Sequence, residues 1–161
     1  MSDSSDSSDS SATVPAGPMF EMPASVPAGM RLELSRARLL PGAQEETERR
    51  MQMLHDRYEE CLDTLSAERM AFEATFRRTD TDGTEWIYHL SLYGEETSGL
   101  DLSNPVDREH YEYAVRCKEP GWEELRPVLM LAPRPILPLL EAWARDGEVA
   151  AITGGNDARS R

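Results

Sequence analysis

The chain of 161 residues is about one domain long, with 17 Lys+Arg against 30 Asp+Glu and a formal charge of −13. That balance excludes an ordinary phosphate-binding surface, so nucleic acid is not an expected partner. Hydrophobic residues make up only 39%, and no apolar run reaches the roughly 18 residues of a membrane-spanning helix, so no membrane partner is expected.

The N-terminus is acidic and Ser-rich, without the basic and apolar parts of a secretory signal, which sets a cytoplasmic expectation. Cys61 and Cys117 are then expected as free packing thiols.

Residues 1–29 combine Asp3, Asp6 and Asp9 among serines with Pro15, Pro18, Pro23 and Pro27. Such a stretch buries too little apolar surface to offset its ordering entropy, so it reads as a disordered acidic tail. A solubilising leader is the simpler role; a phosphorylatable or partner-binding arm is the sharper one. Residues 30–39 alternate, with Met30, Leu32 and Leu34 on one side and Arg31, Glu33 and Ser35 on the other, as in a strand ended by Pro41-Gly42. From Ala43 to Ala67 the apolar spacing changes to threes and fours through Met51, Leu54, Tyr58, Cys61, Leu62 and Leu65, predicting one amphipathic helix.

Period two returns at Met70, Phe72, Ala74 and Phe76, and again over residues 86–93. Pleat parity fixes the turn between these strands. A two-residue turn would set Phe76 opposite His89 and mix the faces. A three-residue loop with Gly83 left-handed pairs Asp80 with Thr84 and Phe76 with Tyr88.

Asn104-Pro105 can open a helix as cap and first residue, with His110, Tyr113, Ala114 and Cys117 on one face and Pro120-Gly121 as the stop. Residues 128–132 read as a short apolar strand. Residues 134–161 form a C-terminal extension with a short helix over 139–145 and a frayed end.

The order strand, helix, strand, strand, helix, strand predicts an α+β domain over residues 30–133. It is a ferredoxin-like βαββαβ plait with a four-stranded antiparallel sheet in the order 4-1-3-2. Both helices are expected over the apolar face, which carries Leu32, Leu34, Phe72, Phe76, Trp86, Tyr88, Leu90 and Leu92. The opposite face, with Glu33, Ser35, Glu73, Thr75, Ile87, His89, Ser91 and Tyr93, is then left bare. Two copies stacking such faces would dimerise as an α+β barrel around a cavity.

Several stretches carry a resemblance: Glu33-Leu34-Ser35-Arg36 with Pro41-Gly42; Glu60-Cys61-Leu62-Asp63-Thr64-Leu65 followed by Glu68, Met70 and Glu73; Trp86-Ile87-Tyr88; and Asp107, His110, Tyr113 and Cys117. Residues 30–133 resemble a small bacterial family of unknown function within the dimeric α+β barrels. That superfamily includes antibiotic-biosynthesis-type monooxygenases, EthD-like proteins, some polyketide cyclases and rhamnose mutarotases. The resemblance implies a homodimer and a small organic ligand; it lends no established chemistry.

His89 is the leading catalytic candidate. It falls opposite Thr75 and near Glu33, Ser35 and Glu73, where carboxylates would tune it as a general acid or base. Tyr93, Ser35, Thr75 and Ser91 are the candidate ligand-binding residues, with Tyr93 shaping the pocket. No H-x-x-x-H or C-x-x-C motif is present, so neither a metal nor a cofactor is expected. His110, beside Asp107, reads as a structural histidine and His55 as solvated. The expected function is a small-molecule-binding barrel acting as a cyclase, isomerase or cofactor-independent oxygenase-like enzyme. The alternative is a non-catalytic homodimeric binding or assembly protein.

Overall fold

The structure, a computed structural model, describes residues 20–95 and 100–149. Its elements are β1 (Met30–Arg38), α1 (Gln44–Asp56), α2 (Tyr58–Ala67), β2 (Met70–Thr79), β3 (Glu85–Gly94), α3 (Pro105–Cys117), β4 (Glu123–Leu125) and α4 (Leu137–Asp146). All strand pairings are antiparallel, and the sheet order is β2-β3-β1-β4, which is 4-1-3-2 read from the other edge.

The β2–β3 hairpin follows the parity reading. Phe76 pairs with Tyr88 and Thr75 with His89. The loop closes through Asp80 N to Thr84 O at 2.8 Å and Gly83 N to Asp80 O at 3.0 Å. Gly83 has φ +84, a conformation that favours glycine. At the start of α3, the Asn104 side chain accepts from Val106 N at 3.0 Å, and Pro105 occupies a position where no backbone donor is needed.

Three expectations need correction. The helix predicted over 43–67 is two helices. Arg57, with φ −111 and ψ 29, departs from helical geometry at the junction, while its N–H and C=O still bond Met53 O and Cys61 N at 3.0 Å each. Its guanidinium pairs with Glu60 at 2.6 Å and Glu109 at 2.7 Å, which ties the junction to α3.

The last strand is not residues 128–132. It is Glu123–Leu125, drawn to β1 by charge: Arg36 meets Glu123 at 2.8 Å and Arg31 meets Glu124 at 2.7 Å. Residues 128–132 form no strand.

The third correction concerns the faces. Alternation places the apolar face under the helices, whereas α1 and α3 lie over the polar face. Ala37, Leu39 and Ile87 pack with Cys117 of α3 on that side. Trp86 and Tyr88 are therefore on the other side of the sheet. There Trp86 is buried beneath Arg36 and Arg38, at 4.2 and 5.3 Å from its ring centroid, and donates from Nε1 to Asp80 at 3.0 Å.

One end of the apolar face has its own cover. Val26, Met30, Leu92 and Ala144 form a buried cluster, with Met22, Leu32, Ala71, Met130, Leu140 and Trp143 against it. Of the stretch read as a tail, residues 1–19 lie outside the described residues, while residues 20–29 help to build this cluster. Ser25 Oγ accepts from Met130 N at 2.9 Å, and Phe20 O accepts from Arg31 at 3.1 Å. The frayed end expected after Gly154 also lies outside the described residues.

α4 docks by its C-terminus. Arg69 donates to Ala144 O at 3.0 Å and Arg145 O at 2.6 Å, occupying carbonyls that a helix end leaves open. Gly147 closes the helix at φ +69, where an added Cβ would stand 2.6 Å from Ser66 O.

The rest of the apolar face is open. Leu34 pairs across to Leu90 and Leu125, and Ala74 to Leu90. Phe72 is 41% exposed, Phe76 54% and Leu125 40%.

Candidate functional site

Between the sheet and α1/α3 lies a layer of polar side chains arranged in rows across the strands. One row is Glu33–Ser91–Glu73 and the next is Ser35–His89–Thr75. The register thus gathers six of the seven candidate residues on one patch, and Tyr93, opposite Arg31, adjoins them.

Each carboxylate has a distinct set of partners. Glu33 accepts from Ser35 Oγ at 2.6 Å and from Tyr93 Oη at 2.9 Å. Glu73 Oε2 lies 3.0 Å from His89 Nε2. The His89 hydrogen bond holds the Glu73 carboxyl below the usual carboxylate range despite partial burial. Burial, reinforced by the bond to Glu33, pushes the Tyr93 phenol well up. It therefore stays a neutral donor at physiological pH.

Access differs along the layer. Ser35 and Ser91 are buried, whereas the side chains of His89 and Glu73 retain 28% and 42% of their exposure. Thr75 is exposed. The layer therefore opens to solvent at the His89–Glu73 pair. Trp122 borders this mouth, its ring centroid 6.2 Å from that of His89.

From the helix side, α3 contributes His110 and α1 contributes Arg50. Arg50 Nη2 and His110 Nε2 are 2.8 Å apart. A guanidinium can only donate, so Nε2 is the acceptor and His110 is the neutral ring protonated on Nδ1. Burial, then the Arg50 charge, push its pKa down to about 4. His110 thus bonds Arg50, not the neighbouring Asp107, whose carboxylate instead accepts from Asp101 N at 3.0 Å.

Cys61 and Cys117 are free thiols, Cys117 fully buried. Desolvation pushes the Cys61 thiol up, away from nucleophilic use. Among the described residues no group of three His, Cys, Asp or Glu side chains is placed to hold a metal. No helix among the described residues is long and apolar enough to cross a membrane.

Arg50 is the residue that sequence reading misses. It stands three positions after Thr47 on the buried stripe of α1, together with Met53. That spacing is the one available signal, because a charged residue is normally assigned to the wet face of a helix.

The His110 environment has a consequence for stability. The ring titrates at about 4 in the fold against 6.5 ordinarily, so between those values the unfolded chain binds the extra proton. Its contribution is complete above pH 6.5 and is lost as pH falls towards 4, by an amount on the order of 3 kcal/mol. Arg50, Glu73 and His89 are the charged or titratable groups acting on it. Urea midpoints measured from pH 7 to 4 should fall less steeply for His110→Asn than for the unaltered protein. Parallel profiles would contradict the assignment.

These elements define a small α+β domain: a four-stranded antiparallel sheet with a polar layer under two helices and an apolar outer face. The chain belongs to a family of unknown function (DUF6176), which matches residues 30–137. That span contains all four strands and the whole polar layer. No curated protein compared with the chain matches it.

Proposed function

We propose that the protein is a ferredoxin-like plait that pairs through its open apolar face into a homodimeric α+β barrel. It binds a small organic molecule at the mouth of the polar layer and acts on it by acid/base chemistry, as a cyclase, isomerase or cofactor-independent oxygenase-like enzyme. The carrying observation is the His89–Glu73 pair, held at 3.0 Å and partly open to solvent. A carboxylate bonded to one ring nitrogen orients the imidazole, which suits a residue that takes up and returns a proton. Glu33, gripped by Ser35 and Tyr93, keeps the neighbouring row acidic; Ser91 separates the two carboxylates, and Thr75 meets the ligand at the mouth.

The test is deuterium wash-in from D2O into a panel of small enolisable carbonyl compounds, followed by NMR. His89→Ala and Glu73→Gln should each slow exchange by roughly 10²–10⁴-fold without changing the oligomeric state. In His89→Ala the Glu73 carboxyl, followed by ¹³C NMR, should titrate higher than in the unaltered protein. Equal wash-in by the His89 variant would remove its role.

A second reading, a non-catalytic homodimeric binding or assembly protein, is favoured by the open apolar face around Phe72 and Phe76. It predicts no wash-in for the whole panel while the dimer persists.

A further inference from the structure

We infer that Arg50 is the anchor of a buried anion site and that the small molecule bound in the polar layer carries a carboxylate, which Arg50 receives. The inference deepens the proposed function and rests on the polar layer being the ligand site.

Arg50 is only 4% exposed, and neither Nε nor Nη1 has a hydrogen-bond partner among the described residues. Its one bond goes to the ring nitrogen of His110, a neutral acceptor that satisfies one donor and no charge. Burying a guanidinium is costly unless an anion or several acceptors receive it. The acidic groups nearby do not fill that role. Glu73 acts on Arg50 through its charge, but its carboxylate is bonded to His89. Glu33 is occupied by Ser35 and Tyr93. The guanidinium therefore keeps unpaired donors on two of its nitrogens at the buried end of the polar layer.

The chemistry of those surroundings selects the ligand. A planar carboxylate matches a guanidinium in shape and charge. With Glu33 and Glu73 in the same layer every added negative charge is repelled, so a singly charged carboxylate is disfavoured less than a phosphate dianion. The layer opens at His89 and Glu73, and Arg50, buried and bonded to His110, is its enclosed cation. The proposed molecule enters at His89 and sets its carboxylate on Arg50, with the remainder beside the acid/base pair.

The experiment uses the full chain with sodium acetate and sodium benzoate as probes, acetamide and benzamide as neutral counterparts, and sodium chloride and phosphate at matched ionic strength. Thermal shift gives affinity, and the ¹⁵Nε–¹Hε resonance of Arg50 reports contact directly in the unaltered protein. At least one carboxylate should stabilise the protein saturably and move that resonance, while its amide does neither. Arg50→Lys should weaken the binding at least about tenfold, and Arg49→Lys, at an exposed arginine of the same helix outside the layer, should leave it unchanged. If Arg50→Lys does not fold, the resonance of the unaltered protein decides alone.

A resonance unmoved by every carboxylate would overturn the inference and leave water as the filler. Equal response to chloride or phosphate would reduce it to an adventitious ion only. Carboxylate binding that moves the Arg50 resonance, with no wash-in by the unaltered protein, would keep the anion site and remove the acid/base reading.

Discussion

Replacing Phe72 and Phe76 together by glutamate is expected to convert the proposed dimer into a monomer that remains folded. Both rings stand on the open sheet face, 41% and 54% exposed in the protomer, so neither is part of the protomer's own core. At a two-fold interface each substitution is felt twice. A buried aromatic anchor is worth on the order of 2 kcal/mol, and four introduced carboxylates would also repel across the contact. Sedimentation at micromolar concentration should give the monomer mass, with an unchanged far-UV spectrum. A persistent dimer with both substitutions would place the interface elsewhere.

The second large effect is on stability. Leu92→Ala should cost about 3–4 kcal/mol, the middle of the range for a fully enclosed leucine. Leu92 is 0% exposed, in the cluster that joins β1 and β3 to α4 and residues 20–29. Those surroundings come from four separate segments, none of which can close the cavity alone. The melting temperature should drop by roughly 10 °C or more, read by circular dichroism. Leu125→Ala, on a side chain 40% exposed, is the control and should cost under about 1 kcal/mol. Similar losses for both would contradict the assigned core.

Both predictions turn on the faces of the sheet, and there the sequence is legible only in part. Strict alternation from Met30 and from Trp86 states which residues share a face, and Gly83 pins the hairpin register, so the pairs Ser91–Glu73 and His89–Thr75 can be read directly, whereas the β1 neighbour of His89, Glu33 or Ser35 by alternation, is fixed only by the β1–β3 register. Alternation does not state what covers each face. Apolar residues mark surface that gains from burial, but the cover can be a crossover helix, a terminal segment or a second chain. Here α4 and residues 20–29 take one end of the apolar face, and α1 and α3 take the polar one.

The other departures have similar physical causes. Glu123 and Glu124 look like loop residues until Arg36 is placed opposite Glu123 and the Arg31 side chain within reach of Glu124. The run 128–132 is apolar enough for a strand yet pairs with nothing. No glycine or proline marks the break at Arg57, because the interruption is fixed by its ion pairs to Glu60 and Glu109. The candidate site was legible on its sheet side and not on its helix side. His110 was visible as a buried histidine, but its partner Arg50 could be found only once α1 had been placed over β2 and β3.

The central claim is a homodimer whose polar layer holds a small molecule. Native mass spectrometry of the freshly purified full chain tests it most directly. The predicted result is a mass twice that of the chain, with a small-molecule adduct retained under gentle activation and lost on harsher activation. A monomer at micromolar concentration would contradict the account, since the open face with Phe72 and Phe76 would then have no partner copy and no barrel would form.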